Sequence, residues 1–245
     1  MPRIAVVTPY YRETDEVLRQ CHESVLNQTR ECTHILVADG HPKAIFDGSP
    51  RTLHVPLPAS NGDNGNTPRA IGGILAEAYG FDGVAYLDAD NWYEPTHIES
   101  LLAGHQATGH PLVCCKRQFF TQDGRLLPIR EVAEDANQHV DTSCWLVMRP
   151  AFPLLRAWLM PKVLGPVCDR VFFQKAIRER YMIYALNSRT VAFRSQYEAH
   201  YRRGGVEVPP GLKASSDTPE LKACFSSADG VRAIVDALGF FPVLF

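Results

Sequence analysis

The chain has 245 residues, of which 45% are hydrophobic and 21% charged, and its formal net charge is −2. This length favours one large domain, and this charge gives no reason to expect nucleic acid or an anionic membrane as a partner. No apolar run approaches the roughly 18 residues of a membrane span, and the N-terminus leads straight into a strand pattern rather than a secretory signal, so we expect no transmembrane segment.

The first 116 residues alternate between apolar runs and helical patterns. The apolar runs predict strands over residues 3–8, 34–40, 51–55, 84–87 and 112–116. Apolar residues at helical spacing predict helices over residues 14–28, 69–79 and 95–108. Pro9 ends the first strand in this interpretation, because proline cannot continue a central strand. Strand, helix and strand within the first 40 residues form a βαβ unit, which predicts an α/β protein with parallel strands.

Beyond residue 118 the alternation becomes irregular. The pattern predicts a hairpin or extended loop over 119–134, a strand over 139–148 and a helix over 150–160. A turn over 165–170 then leads into a helix through about residue 180, followed by a strand over 190–194 and a helix over 219–238. A polar segment, residues 214–217, precedes that last helix. No internal repeat or low-complexity tract divides the chain, so we expect a single domain over residues 1–245.

Two carboxylates, Asp88 and Asp90, follow directly on the apolar run 84–87. In extended backbone, residues two apart project to the same side. Two anions that close repel each other unless a cation lies between them, and Mg²⁺ or Mn²⁺ fits an oxygen site of this kind. The alternative is a solvated turn after a buried strand, which is the more common meaning of an isolated Asp-x-Asp.

Other predicted strand ends also carry polar side chains, namely Thr8, Tyr10, Asp39, Asn66 and Arg69. Because the carboxyl ends of parallel strands meet at one edge of a sheet, we expect these groups to converge with the acidic pair on a ligand crevice. A set of helix N-caps is the alternative, since caps would use Thr and Asp in the same places. The sequence contains neither GxGxxG after the first strand nor GxxxxGK[ST], so neither fingerprint supports a competing nucleotide site.

The first half of the chain resembles the nucleotide-sugar domain of family 2 glycosyltransferases, which have the GT-A fold. Residues 7–11 (VTPYY) resemble the turn that ends the first strand of these enzymes, and residues 24–29 (SVLNQT) resemble the stretch that closes their first helix. The acidic strand end at 37–40 (VADG) and the Asp-x-Asp at 88–90 also match, whereas 61–73 matches loosely, with departures at Pro68 and Ile71. The resemblance covers residues 3 to about 116, and the remainder only in outline.

The resemblance implies a single mostly parallel twisted sheet flanked by helices. Its nucleotide-sugar half is expected over about 1–116, its acceptor half over about 117–215 and a helical tail over about 216–245. The implied activity is a metal-dependent, inverting transfer of a sugar from a nucleotide-diphosphate-sugar, a UDP-sugar before a GDP-sugar, to the hydroxyl of an unidentified acceptor. The seven cysteines lack CxxC spacing, and with the vicinal pair Cys114-Cys115 they are interpreted as free thiols in a reducing cytoplasm.

The resemblance also implies roles for individual residues. The nucleotide-binding set is Thr8, Pro9, Tyr10, Asp39, Arg69 and Asp88. Asp90 is the direct ligand of Mn²⁺ or Mg²⁺ and Asp88 faces it, whereas His200 is either a further ligand or a structural histidine. Asp169 at a predicted helix start is the general base, although the family's Glu-Asp pair is absent here, and Asp141 is the reserve candidate. Two alternatives stay open: a retaining GT-A transferase, and a degenerate member that only binds sugar nucleotides or carbohydrate.

Overall fold

The computed structural model describes residues 1–129, 139–214 and 218–243. Its strands are β1 (Ile4–Tyr10), β2 (Thr33–Ala38), β3 (Thr52–Pro56), β4 (Gly83–Tyr86), β5 (Trp92–Tyr93), β6 (Leu112–Phe120), β7 (Leu126–Leu127), β8 (Trp145–Met148) and β9 (Ile183–Arg194). Its α-helices are α1 (Asp15–Leu26), α2 (Asn66–Ala78), α3 (His97–Thr108), α4 (Cys168–Arg178), α5 (Glu198–Arg203), α6 (Pro219–Ser226) and α7 (Ala228–Leu238). Four 3₁₀ segments lie at Ala44–Phe46, Thr142–Cys144, Arg149–Trp158 and Lys162–Val167.

The described strands form one sheet in the order β3-β2-β1-β4-β8-β6-β9-β5, with β7 paired to β6. β1 to β4 pair in parallel, as do β6 and β9, while β8 runs antiparallel to both β4 and β6 and joins the two groups. The parallel pairing confirms the α/β prediction. It also brings the carboxyl ends of β1, β2 and β4 to one edge of the sheet.

The first strand is longer than predicted, and the prediction that Pro9 ends it is wrong. β1 continues to Tyr10, and Pro9 lies opposite Val37 of β2. On its other side β1 pairs with β4 only as far as Val7. Pro9 therefore lies where the strand has a single neighbour, a position in which a missing N–H is tolerated.

Three predictions in the second half need correction. The strand predicted over 139–148 is confined to β8, because Asp141 caps a 3₁₀ turn by accepting a hydrogen bond from the Ser143 N–H at 3.0 Å. The helix predicted over 150–160 is a 3₁₀ segment. The helix predicted over 219–238 is broken into α6 and α7 at Ser227, whose Oγ accepts from the Gly230 N–H at 3.1 Å. The predicted hairpin is present as the β6–β7 pair, and its residues 130–134, like 215–217 of the polar segment, lie outside the described residues.

A cluster of aromatic rings forms the core beneath the sheet edge. Trp158 stacks on Phe172 of α4 with ring centroids 4.4 Å apart, and Tyr86 at the end of β4 meets Trp158 edge-on at 5.2 Å. Tyr86, Trp158 and Phe172 are fully buried. This packing fixes the end of β4, and with it the acidic pair that follows, against the helix that carries Asp169.

All seven cysteines are free, which confirms the interpretation of Cys114-Cys115 as thiols. Within the described residues, no helix has both the length and the hydrophobicity that crossing a membrane requires.

Candidate active site

The carboxyl ends of β1, β2 and β4 open into a cleft of about 1010 Å³, which is at the large end of the range for small-molecule sites. Almost every predicted site residue lines it: Pro9, Tyr10, Asp39, Arg69, Asp88, Asp90, Asp141, Asp169 and His200. The convergence expected from the parallel strands is therefore present, and the groups are not a scattered set of helix caps.

Thr8 is the predicted residue that the structure does not bring to the cleft. Its side chain is fully buried, and its Oγ1 lies 2.8 Å from His34 Nε2. His34 in turn contacts His22, with the two Nδ1 atoms 2.8 Å apart. Burial lowers the pKa of both histidines, so this chain of polar groups is uncharged and stabilises the wall behind the cleft.

Tyr10 and Asp39 form the end of the cleft that is predicted to bind the nucleoside. The Tyr10 hydroxyl accepts a hydrogen bond from the Lys43 N–H at 2.9 Å and lies 2.7 Å from His54 Nε2. The Asp39 carboxylate accepts from the Ser60 hydroxyl at 3.0 Å and from the Asn61 N–H at 2.9 Å. These contacts fix the loop after β3 against the end of β2. The position after Asp39 must be glycine, since Gly40 has φ +81° and a Cβ there would lie 2.4 Å from the backbone N of Ser60.

Arg69 points from α2 into the cleft floor. Its Nη2 donates to Asp88 Oδ1 at 2.6 Å, and its Nη1 donates to the Asn64 carbonyl at 2.9 Å and to Asn66 Oδ1 at 3.1 Å. Burial, the largest single effect, lowers the pKa of Arg69, but the charge and hydrogen bond of Asp88 together with the nearby Cys168 and Asp141 outweigh it and raise that pKa, so the guanidinium stays protonated. Arg69 thus fixes the Asp88 carboxylate and the loop before α2 at the same time.

The turn that carries Asp88 and Asp90 is held from the second half of the chain, which sequence reasoning missed. Ser143, fully buried, accepts from the Asp88 N–H at 3.1 Å and from the Asn91 side-chain amide at 3.2 Å. The backbone N–H of Arg194 donates to Asn91 Oδ1 at 2.9 Å, and its Nε donates to the Asp90 carbonyl at 3.1 Å. The two carboxylates therefore point from a fixed turn rather than from a solvated one.

The stretch at 24–29 has a structural role next to this turn. Ser24 Oγ accepts from the Tyr93 N–H at 3.1 Å. The Gln28 side chain donates to the Glu94 carbonyl at 2.9 Å and accepts from the Ile98 N–H at 3.0 Å. The resemblance noted in the sequence therefore has a physical basis, since these side chains tie α1 to the segment that follows the acidic pair.

Asp90 is the more perturbed member of the acidic pair. Burial, the larger cause, and the charge of Asp88 raise the pKa of Asp90 to about 7, against a hydrogen bond from Gln196 Nε2 to its Oδ2 at 2.6 Å. Two carboxylates of this kind fit Mg²⁺, which uses one or two carboxylates together with the phosphates of its substrate. Asp88 and Asp90 are therefore the residues that could hold a metal here.

His200 does not extend this pair into a larger group of ligands. Its Nδ1 lies 2.8 Å from Ser195 Oγ, and its ring meets Phe119 edge-on at 4.7 Å. Across residues 1–129, 139–214 and 218–243, no three His, Cys, Asp or Glu side chains are arranged to hold a metal ion. The contacts of His200 match those of a structural histidine that also lines the cleft.

Asp169 lies in the first turn of α4 and contacts a residue that the sequence analysis did not select, His139. The distance from His139 Nε2 to Asp169 Oδ2 is 2.5 Å. Burial opposes both charges, but the pair overcomes it: the charge of Asp169 raises the pKa of His139, and the charge and hydrogen bond of His139 lower the pKa of Asp169. No sequence signal identified His139, because it lies 30 residues from Asp169 along the chain.

Asp141, the reserve candidate for the base, is engaged elsewhere. One oxygen pairs with Arg117 and the other caps the 3₁₀ turn at Ser143. Arg117 is itself held between aromatic rings, 4.8 Å from the centroid of Phe119 and 4.3 Å from that of Phe193. Both oxygens of Asp141 are therefore engaged within the protein, one of them by the guanidinium of Arg117.

Comparison with solved structures identifies the fold. S. aureus TarS in complex with UDP-GlcNAc superposes with a TM-score of 0.66 at 13% identity, over 96% of this chain and 67% of that chain. S. aureus TarS in complex with UDP gives a TM-score of 0.61 at 15% identity, over 78% of this chain and 60% of that one. The chain has the GT-A fold. This confirms the fold implied by the resemblance.

Sequence comparison adds a shorter match to this GT-A chain. It is 30% identical over 106 residues to the succinoglycan biosynthesis protein ExoW of Rhizobium meliloti (strain 1021). That match covers 40% of this chain and 32% of ExoW, so the chain spans about a third of that relative. No protein-family model matches the sequence.

Proposed function

We propose that this chain is a metal-dependent glycosyltransferase that transfers a sugar from a UDP-sugar to the hydroxyl of an acceptor with inversion at the anomeric carbon. The observation that supports this most is that Asp88, Asp90 and Asp169 line one cleft of a GT-A fold, next to Tyr10 and Asp39 at the predicted nucleoside end. TarS, a glycosyltransferase of the same fold, is known in complex with UDP and with UDP-GlcNAc, which supports the choice of uridine.

The chemistry needs a stabilised leaving group and an activated nucleophile. Mg²⁺ or Mn²⁺ held by Asp88 and Asp90 would supply Lewis-acid stabilisation of the departing diphosphate. Arg69 keeps Asp88 oriented for that purpose. We assign proton removal from the acceptor hydroxyl to the contacting pair of Asp169 and His139 at the start of α4, since both side chains line the cleft. Direct attack from the face opposite the diphosphate gives inversion.

Asp169→Asn tests this assignment, because Asn keeps the shape of the side chain but is not basic. The assay is release of UDP from a panel of UDP-sugars, with GDP-sugars as the second class, with and without Mn²⁺ and with water as the acceptor. We expect turnover to fall at least about a hundredfold while UDP affinity is retained. Asp229→Asn is the matched control, since Asp229 also lies in the first turn of a helix but is exposed and outside the cleft.

The possible outcomes separate the alternatives. Near-normal turnover in Asp169→Asn, together with a released sugar that keeps the donor's anomeric configuration by NMR, would favour a retaining transferase. UDP binding by the unmodified chain without any turnover on the panel would favour a module that only binds sugar nucleotides. If Asp169→Asn no longer bound UDP and also had a lower melting temperature, Asp169 would be a structural residue of α4.

A further inference from the structure

The contact between His139 and Asp169 fixes where a proton lies. A bare imidazole nitrogen and a carboxylate oxygen repel each other at 2.5 Å, so a proton must lie between Nε2 and Oδ2. In neutral His139 that proton belongs to Nε2, and Nδ1 is then the acceptor of the ring. Among the described residues, the hydrogen bond to Asp169 is the one that the His139 side chain makes.

Asp169 is less suited to accept a further proton than His139. Its Oδ2 accepts from His139, and its Oδ1 accepts from the Arg170 N–H at 2.8 Å. Both contacts stabilise the charged carboxylate, which lowers its pKa below the ordinary value despite burial. Both side chains line the cleft, with 14% of the His139 side chain and 21% of the Asp169 side chain exposed.

We propose that His139 accepts the proton of the attacking hydroxyl at Nδ1, and that Asp169 holds the ring in the required tautomer and stabilises the imidazolium that forms. The same division of roles between imidazole and carboxylate operates in the catalytic triads of hydrolases. This inference rests on the proposed glycosyl transfer and specifies which atom of its base removes the proton.

Sugar transfer forms one bond at the anomeric carbon and breaks another. The hydroxyl oxygen forms a bond to the anomeric carbon, and the bond from that carbon to the diphosphate oxygen breaks, with its electron pair leaving on the nucleotide. The hydroxyl proton moves to Nδ1 of His139, and the Nε2 proton stays between His139 and Asp169. The imidazolium then returns one proton to solvent.

The charged and titratable groups around His139 and Asp169 determine the pH range in which His139 can accept a proton. Burial, the largest single effect, and Arg117 on β6 oppose the charged form of His139, whereas Asp169 on α4 and Asp141 at the cap of the neighbouring 3₁₀ segment favour it. Burial and then the charge of Asp169 raise the pKa of Tyr197, so its hydroxyl stays neutral. The net effect raises the pKa of His139 above 6.5. Turnover should therefore increase with pH through a transition above 6.5 and then level off.

Two substitutions distinguish the role of His139 from that of Asp169 in the hydrolysis of UDP-GlcNAc. His139→Gln can still donate to Asp169 but accepts no proton, so we expect kcat to fall at least about a hundredfold, the transition to vanish and UDP affinity to stay unchanged. In Asp169→Asn the transition should move to lower pH, because burial then acts on His139 without its partner. His105→Gln, outside the cleft on α3, is the control for replacing a histidine.

The result would be different if Asp169 alone were the base. His139→Gln would then keep kcat within about threefold, or Asp169→Asn would abolish the transition instead of shifting it, and either result overturns the role of His139. A chain that binds no UDP and hydrolyses no sugar nucleotide overturns the proposed function itself.

A second readout does not depend on activity. Nitrogen-15 NMR of histidine-labelled protein at high pH should show the His139 ring protonated at Nε2 and bare at Nδ1. Protonation at Nδ1 instead would overturn the inference even in an active enzyme.

Discussion

The ion pair between Arg69 and Asp88 is a contact whose removal should measurably lower the stability of the chain. The two side chains are 2.6 Å apart, with 6% of the Arg69 side chain and 27% of the Asp88 side chain exposed. Arg69 also lies 5.4 Å from the centroid of the Trp158 ring and bonds the loop before α2. We expect Arg69→Met, which keeps length and apolar contact, to destabilise the chain by removing the charge and the hydrogen bonds of the guanidinium.

The loss in the free energy of unfolding depends on how buried the unpaired partner is. Breaking a buried ion pair by removing one member costs about 3–5 kcal/mol. Asp88 is partly exposed and can be hydrated once unpaired, so Arg69→Met should lie near the lower value, about 3 kcal/mol. Asp88→Asn leaves the more buried Arg69 charge without its partner, and should cost at least as much. For a chain of this size, about 3 kcal/mol corresponds to a fall of roughly 6–12 °C in melting temperature.

The assay is urea unfolding of both single variants and of the double variant Arg69→Met with Asp88→Asn. Because the double variant leaves no unpaired charge, it should be more stable than the sum of the single costs predicts, by more than about 1 kcal/mol. Arg156→Met is the control, since Arg156 and Glu77 form an exposed pair that should contribute no more than about 1 kcal/mol. Costs that add within about 0.5 kcal/mol would refute the reasoning.

Three further predictions follow from the cleft. UDP affinity, measured by calorimetry, should fall in excess EDTA, because Asp88 and Asp90 otherwise repel the diphosphate; unchanged affinity would exclude a metal at this pair. Asp39→Ala should weaken UDP binding by about 1–3 kcal/mol in the same assay without unfolding the chain, and unaltered binding would limit Asp39 to holding its loop. Asp169→Asn should cost more stability in urea at pH 6 than at pH 9. The reason is that the stabilisation from the raised pKa of His139 is complete below about 6.5 and is lost as pH rises through that raised pKa. Equal costs at both pH values would contradict an ion pair.

Local patterns in the sequence predicted the half of the chain that binds the nucleotide in our proposal. Buried parallel strands read as continuous apolar runs, so β1, β2 and β4 could be placed within a few residues. Because parallel strands end at a common edge, Asp39 and Asp88 could be assigned to one cleft before the structure was known. The GT-A fold was implied by two short stretches whose side chains, such as Gln28, make tertiary contacts that spacing alone does not require.

The second half could not be predicted in the same way, because its elements depend on partners distant in the chain. The strand expected over 139–148 begins only at Trp145, since the Asp141 carboxylate bonds the backbone that would otherwise extend. Whether a polar residue caps a turn or extends a strand depends on which groups it meets after folding.

The sequence by itself determined which carboxylates stand at strand ends, because strand direction and side-chain alternation are local properties. Only the tertiary structure decided which of the predicted site residues are available for binding or reaction, and which further residues join them. It buried Thr8 against His34, committed Asp141 to Arg117 and brought His139 to 2.5 Å from Asp169. The physical reason is that the protonation and availability of a charged group depend on burial and on neighbouring charges, and those neighbours are set by folding and not by spacing along the chain.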